Sequence, residues 1–599
     1  MRFVAEILED RISAAMAAAT GLAKCAAIVR AATDPKFGDY QANGVMALAK
    51  EMKTNPRQLA EEVVKNLDVD DICGPPEIAG PGFINLRLKA GFIASSLLEI
   101  NSDLSNRLGV EKTSQPKTIV VDFSAPNIAK QMHVGHLRST IIGDCICRML
   151  EFLGHKVIRQ NHIGDWGTQF GMLMALLDEK SRQAETHTGV AIPFSQLEPP
   201  LPLPIFEDFY KEAKRRYDND AQFAKAAREA VVCLHNRDEK YTLLWLRIVD
   251  KSRCHYQTIY DTLGVNLNKE HERGESTYND SLPDIVTELK KMEVAVESDG
   301  AVCVFPEGFK NKEGQPLPFM IQKSDGAYLY ATTDLAAIRY RINELKADKI
   351  IYVTDARQKL HFEMLFATAR MAKWVSGDIE LSHVMFGSVL GEDGAPLKTR
   401  SGESVKLKEL LDEAVERAKA VVEEKNPDLD KDKKAEIAKA VGVGAVKYAD
   451  YSNNRTSDYV FSFDKMLAMD GNTAPYMQYA YARIKSIERK AQTRDVDIET
   501  ELAGLKTLSL AEPAELDLAK TLSRYGEAIQ AAAADNRPNY LTAYLYELAQ
   551  KFSGFYTNCP VLDAGPDKRP TRLLLCDLTA KTIKHGLSEL LGIEVVEQM

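Results

Sequence analysis

The sequence predicts a multidomain α/β protein centred on a doubly wound parallel sheet, with a small α+β region before it and an all-helical region after it. Three observations carry that reading. A chain of 599 residues exceeds what one hydrophobic core organises, so two or three domains are expected. Between Thr118 and Gln160 a strand, a Pro-containing loop, a helix and a second strand follow one another, the βαβ unit that parallel strands require. Beyond about Lys447 strand signals fade and helical periodicity runs to the end, which predicts a helical bundle.

In chain order, residues 1–112 open with an Ala-rich amphipathic helix and a turn-rich stretch around Asp34 to Asn43. A second helix follows, then Pro75-Pro76 and Gly80-Pro81-Gly82, which punctuate short apolar strands such as Phe83 to Leu88. The small-residue stretch from Ile12 to Val29 comes nearest to a signal or membrane segment. Lys24 interrupts it and Glu6, Glu9 and Asp10 precede it, so a surface-packed helix is expected. Glu111 to Lys117 reads as a linker. The central domain, 113–455, contains the strand Thr118 to Phe123, a helix over roughly Gly135 to Leu153 and the strand Lys156 to Gln160. Strands near Ala301 to Phe305, Lys349 to Thr354 and His383 to Val389 are expected to complete the sheet. A helical insertion with an exposed proline-rich loop at Pro199 to Pro204 lies between early and late strands. Residues 456–599 form the bundle, and no internal repeat is visible.

Composition narrows the function classes. With 45% hydrophobic and 27% charged residues the chain is an ordinary globular protein. A net charge of −10 argues against a protein that coats nucleic acid indiscriminately, because such proteins bind by neutralising phosphates, but a local basic face can still guide a polyanion. The nine cysteines are scattered without a CxxC spacing, so no zinc knuckle or disulfide framework is readable and no metal site is expected. A reducing cytoplasm and a monomer are the expectations.

The segment SAPNIAKQMHVGHLRSTIIGD, Ser124 to Asp144, places His133 and His136 around Gly135 where loop becomes helix. Helix N-terminal amides favour an anion there, Gly135 admits close backbone approach, and two imidazoles three apart can face one ligand. Taken alone, HxGH also fits a pair of loop histidines. Its context decides: HVGH after a strand and a Pro-containing loop resembles the HIGH signature of class I aminoacyl-tRNA synthetases, and PNIAK before it and LRST after it resemble the arginyl family in particular.

That resemblance implies a Rossmann-like catalytic domain with ATP and Mg2+ as substrate, L-arginine and tRNA-Arg as partners, and no tightly bound cofactor. The second class signature, KMSKS, corresponds to Lys398-Thr399-Arg400-Ser401-Gly402. Ser401 stands where the second lysine belongs, and the resemblance implies that Lys130, just before the first signature, stands in for it. Lys130, His133, His136, Lys398 and Arg400 are therefore the catalytic candidates. Gly135, Gly164 and Asp165 join His133, His136, Lys398 and Arg400 on the ATP side, the middle pair lying in NHIGDWGTQFG, another family-like stretch.

A guanidinium presents a rigid fork of donors, which a buried carboxylate meets in a way that a lysine ammonium cannot reproduce. Tyr330 and Asp334, four apart in YLYATTDLAA, share one face if a helix begins there, although Asp334 could equally cap that helix. The stretch resembles the arginyl family's YxxxD element. The same resemblance implies Gln358, in DARQKLH, near the guanidinium, and Ser124, Asn127 and His133 near the α-amino and carboxylate groups. Glu275 is a weaker pocket candidate, for a surface turn also explains it.

Two regions resemble tRNA-contact modules of that family. In the first, FGDYQANGVMALAK and PGFINLRL resemble the domain that meets the tRNA elbow, with Asn85 as D-loop reader. In the second, Tyr476, Tyr556 and Met599 match positions near the anticodon loop. Tyr479 reads better as a half-buried helix residue. Lys568, Arg569, Arg572, Lys581 and Lys584 form a second basic cluster. Two alternatives remain at this stage: a class I synthetase for another amino acid, and a tRNA-binding paralogue that keeps the fold without catalysis.

Overall fold

The computed structural model describes residues 2–103, 105–128, 130–188, 203–398 and 404–599. They divide into two compact units. One gathers 1–113 with 467–590 and 594–599, and the other comprises 114–466 with 591–593.

In the first unit an antiparallel sheet of order β1-β2-β4-β3 comprises β1 (Val29–Ala31), β2 (Tyr40–Ala42), β3 (Glu77–Ala79) and β4 (Phe83–Leu86). The helix Val4–Thr20 buries Val4, Leu8, Ile12 and Met16 along one stripe and ends at Gly21, whose φ of 74° is the left-handed conformation that glycine adopts at helix ends. The small-residue stretch is therefore half helix and half loop. Tyr40 joins this sheet to the C-terminal helices, donating its buried hydroxyl to both oxygens of Glu527 at 2.9 and 3.1 Å, and Lys520 pairs with Asp39 at 2.8 Å.

The second unit is built on a parallel sheet of order β11-β10-β5-β6: β5 (Thr118–Asp122), β6 (Lys156–Gln160), β10 (Lys349–Tyr352) and β11 (Glu380–His383). β5 is buried over Ile119–Asp122, the continuous apolar pattern of a strand covered on both faces. Sequence runs outward from β5 to β6 on one side and returns through β10 to β11 on the other. Crossovers leave in opposite directions between β5 and β10, and such a switch point opens a crevice at the strands' carboxyl ends. In register across this end stand Gln160, Asp122, Tyr352 and His383. Arg341 seals them from the helix Tyr330–Asn343, donating to Asp122 at 2.6 Å and Gln160 at 2.6 Å.

Two strand expectations need correction. Ala301–Val304 does not extend the parallel sheet but forms β8 of a separate antiparallel sheet with β7 (Ala295–Ser298) and β9 (Phe319–Gln322). The strand expected at His383 to Val389 ends at His383, and Val389–Leu390 is instead β12, paired in parallel with β13 (Tyr459–Val460). The insertion is helical over Thr168–Thr188, Leu203–Asn219, Ala221–His235 and Glu239–Leu263. Most of the proline-rich loop, Pro199 to Pro202, lies outside the described residues. Among the described residues no helix is long and apolar enough to cross a membrane.

Candidate active site

The loop after β5 opens the site. Ser124 and Ala125 have φ of 73° and 46°, an unusual left-handed pair that turns the chain sharply off the strand. At this turn the Ser124 side chain is buried, its N–H donates to Ser139, and its hydroxyl is shared with Thr140 at 2.8 Å and Tyr260 at 2.7 Å, so it ties the loop to helices. Asn127 is exposed and pairs with Gly164 in a parallel bridge. A Cβ at Gly164 would stand 2.9 Å from Asn127 Oδ1, so a side chain there would turn the Asn127 amide aside.

His133 is the N-cap of the helix Val134–Phe152. Its Nδ1 accepts the Gly135 N–H at 3.0 Å, while His136 Nδ1 accepts the His133 N–H at 3.1 Å. Both Nδ1 atoms are thus acceptors, and each neutral ring carries its proton on Nε2. The rings lie 4.1 Å apart. Burial and the cations Lys130 and Arg357 lower the His133 pKa, and burial followed by His133 lowers that of His136 to about 4. Two neutral rings therefore offer Nε2–H donors at the positive end of a helix, an arrangement that favours an anion. Gly135 is required, because a Cβ would lie 2.7 Å from His133 Cε1.

The segment after the second signature is built onto the first. Val134 N–H donates to Val405 O at 2.9 Å, Leu407 N–H to Met132 O at 2.9 Å, and Lys398 bridges Ser404 antiparallel. The exposed Lys398 thus begins a hairpin whose return arm pairs with the HVGH segment. Thr399, Arg400 and Ser401 lie outside the described residues. Lys130 rests over the Tyr210 ring at 5.3 Å.

Opposite, the loop after β10 carries DARQKLH. Asp355 caps the short turn Ala356–Gln358 and is gripped by the Arg357 guanidinium at 2.8 and 2.7 Å, leaving Gln358 exposed. The helix Tyr330–Asn343 begins at Tyr330, which is 72% exposed and free to meet a ligand. Asp334 does not cap it. The carboxylate lies within the helix, half-buried, and its Oδ2 is 2.6 Å from His361 Nε2. His361 and Arg357 are site residues that sequence reasoning missed; their signal was proximity to Gln358 in DARQKLH.

Asp165 is tied to the turn that follows Gly274. Its buried carboxylate accepts the Ser276 N–H at 2.9 Å and the Ser276 hydroxyl at 2.6 Å, and a Cβ on Gly274 would collide with it at 2.2 Å. Asp165 therefore fixes the turn Glu275–Ser281. That turn presents Glu275 as a pocket residue: burial, then Asp165 and Asp334, push its pKa up to about 8, and burial followed by Glu275 raises that of Tyr330. A buried carboxyl pushed up by neighbouring carboxylates marks a pocket that suits a cation.

A carboxyl whose pKa rises on folding destabilises the protein as pH climbs above its ordinary value of 4.5, and the cost grows until about 8. Glu275→Gln is accordingly expected to stabilise the ligand-free protein at pH 8 by on the order of 1–3 kcal/mol, seen as a higher melting temperature, with little change at pH 4.5. The same variant should bind arginine more weakly. Thermal unfolding at the two pH values checks the first effect; equal shifts at both would contradict it.

In the first unit, Asn85 is buried in β4 with its Oδ1 accepting from Gln41 at 2.8 Å. Tyr476 stacks edge-on with Tyr546 at 5.8 Å, and Arg483 lies 5.5 Å from Tyr556 and 4.6 Å from Tyr479, whose hydroxyl it also bonds. Tyr476, Tyr556 and Tyr479 are all half-buried, as is Met599, whose tail is held by Gln478 and Arg489 donating to the carbonyls of Glu594 and Glu597. The second basic cluster is largely neutralised by ion pairs: Lys568 with Glu512, Arg569 with Glu501, Arg572 with Glu515 and Lys581 with Asp577.

A switch-point crevice with capping histidines on one lip and a carboxylate pocket on the other defines a class I aminoacyl-tRNA synthetase. The profile of "tRNA synthetases class I (R), catalytic domain" matches residues 99–463, that of the "DALR anticodon binding domain" 477–599, and that of the "Arginyl tRNA synthetase N terminal domain" 6–88. The chain is 50% identical over 598 residues to an arginine–tRNA ligase of Synechococcus sp., covering 99% of each, and 49% identical over 594 residues to that of Escherichia coli K12, again covering 99% of each. Among solved structures it is similar to arginyl-tRNA synthetase from Plasmodium falciparum, at 31% identity and a TM-score of 0.82 over 100% of both chains. The chain belongs to the arginyl-tRNA synthetase family.

Proposed function

We propose that the protein is an arginine–tRNA ligase that activates L-arginine with ATP and transfers it to tRNA-Arg for translation. The observation that carries this is the carboxylate pocket of Asp334 and Glu275, capped by Tyr330, at the switch-point crevice that HVGH also borders. A carboxylate oxygen of arginine attacks the ATP α-phosphorus, the bond to the bridging oxygen breaks, and pyrophosphate leaves with the negative charge. A terminal ribose hydroxyl of the tRNA then attacks the adenylate's carbonyl carbon and AMP departs.

In this reading the Nε2–H groups of His133 and His136 and the helix dipole at Gly135 stabilise charge on the phosphates, with Gly164 bordering the same site, aided by Lys130, Lys398 and Arg400. Asn127, Gln358 and the His133 edge orient arginine's polar ends, while Tyr330 and Asp334 meet its guanidinium. Mg2+ arrives with ATP as part of the substrate. Residues 1–112 serve the tRNA elbow, 113–455 catalysis and 456–599 the anticodon, with Tyr476, Tyr556 and Met599 at the anticodon loop and Asn85 acting through its pair with Gln41. A monomer in the cytoplasm suffices for all of these roles.

Exchange of pyrophosphate into ATP, measured with tRNA across the amino acids, tests the assignment. Arginine-specific exchange supports it, exchange with another amino acid replaces the substrate, and none at all removes the activity. Lys130→Ala in the same assay is expected to lower the rate about 10²–10³-fold, the usual cost of one charge-stabilising donor. An unchanged rate would remove Lys130 from the phosphate site.

A further inference from the structure

The pocket carboxylate has one hydrogen-bonding partner among the described residues, and it comes from the helix that directly follows Gln358. Asp334 Oδ2 lies 2.6 Å from His361 Nε2. His361 stands on the helix Lys359–Met371, and its ring packs tilted against Phe319 at 5.6 Å and edge-on against Phe362 at 5.4 Å. Those aromatic contacts fix the ring, so the ring in turn fixes the carboxylate. An aspartate on a helix surface otherwise turns freely about its terminal torsion, where rotamer wells are broad.

We propose that His361 is a positioning residue for substrate selection, holding the Asp334 carboxylate in the one plane that a guanidinium can meet with two parallel bonds. This rests on Asp334 being the guanidinium acceptor. The physical reason is the shape of the donor. A guanidinium is a flat, rigid fork, and its paired bonds form only when carboxylate and fork are coplanar, whereas an ammonium accepts any orientation. Rotation of Asp334 would therefore weaken arginine without harming a point charge. His361 spends its ring on Asp334, Phe319 and Phe362, so its loss falls on arginine binding and not on the chemical step.

Steady-state kinetics at saturating ATP and tRNA test this with three variants. His361→Leu removes the donor, His361→Gln carries an amide N–H close to the position of Nε2, and His361→Asn ends one methylene short. His361→Leu and His361→Asn are expected to raise KM for arginine roughly 10- to 100-fold with kcat within about threefold, the size of a lost hydrogen bond to a charged group. His361→Gln should return KM to within about fivefold of the parent enzyme. If His361→Leu fails to fold, the Gln and Asn pair carries the comparison, with KM for ATP and thermal unfolding reporting integrity. An arginine KM unchanged in His361→Leu or His361→Asn, a loss confined to kcat, or a His361→Gln variant no better than His361→Asn would each overturn the proposal. Asp334→Asn in parallel separates the two levels: if it too leaves arginine KM unchanged, the guanidinium reading fails, and if it alone raises KM, only the role of His361 fails.

Discussion

Replacing Asp334 by asparagine is expected to lower kcat/KM for arginine about 30- to 5,000-fold while leaving KM for ATP within about threefold, because removing one partner of a desolvated, hydrogen-bonded charge pair costs roughly 2–5 kcal/mol. The residue stands at the point where several constraints converge. Arg341, seven residues further along the same helix, is locked into Asp122 and Gln160 at the sheet's carboxyl end, so the helix cannot rotate to offer another side chain. His361 holds the carboxylate's outer oxygen. Glu275 cannot fully substitute, since its own raised pKa, about 8, leaves it largely protonated at neutral pH. Removing the Asp334 charge relieves part of that elevation, so the variant's arginine affinity should fall less at pH 8.5 than at pH 6.5. Arginine-dependent pyrophosphate exchange at the two pH values measures both effects, and an arginine KM equal to the parent's would refute the pocket assignment.

The parts of this site that were legible in the sequence are those whose chemistry is local. HVGH states its own geometry: the cap, the required glycine and the second histidine fall within four residues, and backbone hydrogen bonds alone orient both rings. Tyr330 and Asp334 are likewise placed by one helical turn. What the sequence hid depends on pairings across long separations. His361 lies 27 residues from Asp334, and Ser276 lies 111 from Asp165, so nothing nearby marks either aspartate's true partner. For Ser124 the hidden feature was a backbone turn with positive φ, which sends the hydroxyl inward. Ala301–Val304 illustrates a further limit, because an apolar strand of four residues reads the same in a parallel sheet as in an antiparallel one. The basic cluster near the end misled for an electrostatic reason: its acidic partners Glu501, Glu512 and Glu515 precede it by more than fifty residues, and the cations they neutralise are not free for phosphate.

The largest effect on stability is expected from Arg138, the arginine of HVGHLR. Its guanidinium is 1% exposed and meets Asp450 at 3.0 Å in an ion pair that is not aligned as a hydrogen bond, while donating to the carbonyls of Gly387 at 2.8 Å and Ser457 at 3.1 Å. Burial raises the Asp450 pKa, with Arg138 opposing it. These contacts join the signature helix to the segment that leads through β12 toward the second signature, and to β13 beside it. Arg138→Met leaves Asp450 buried without a countercharge and should cost about 3–5 kcal/mol, lowering the melting temperature by roughly 5–10 °C. The double variant Arg138→Met with Asp450→Leu replaces the pair by apolar side chains, so most of the lost stability should return. Activity should not return with it, because neither new side chain can hold the Gly387 and Ser457 carbonyls, and the segment that carries Lys398 would lose its register with His133. Melting curves and arginine-dependent exchange on both variants decide between a purely structural bolt, for which activity recovers along with stability, and a coupling of the two signatures, for which it does not.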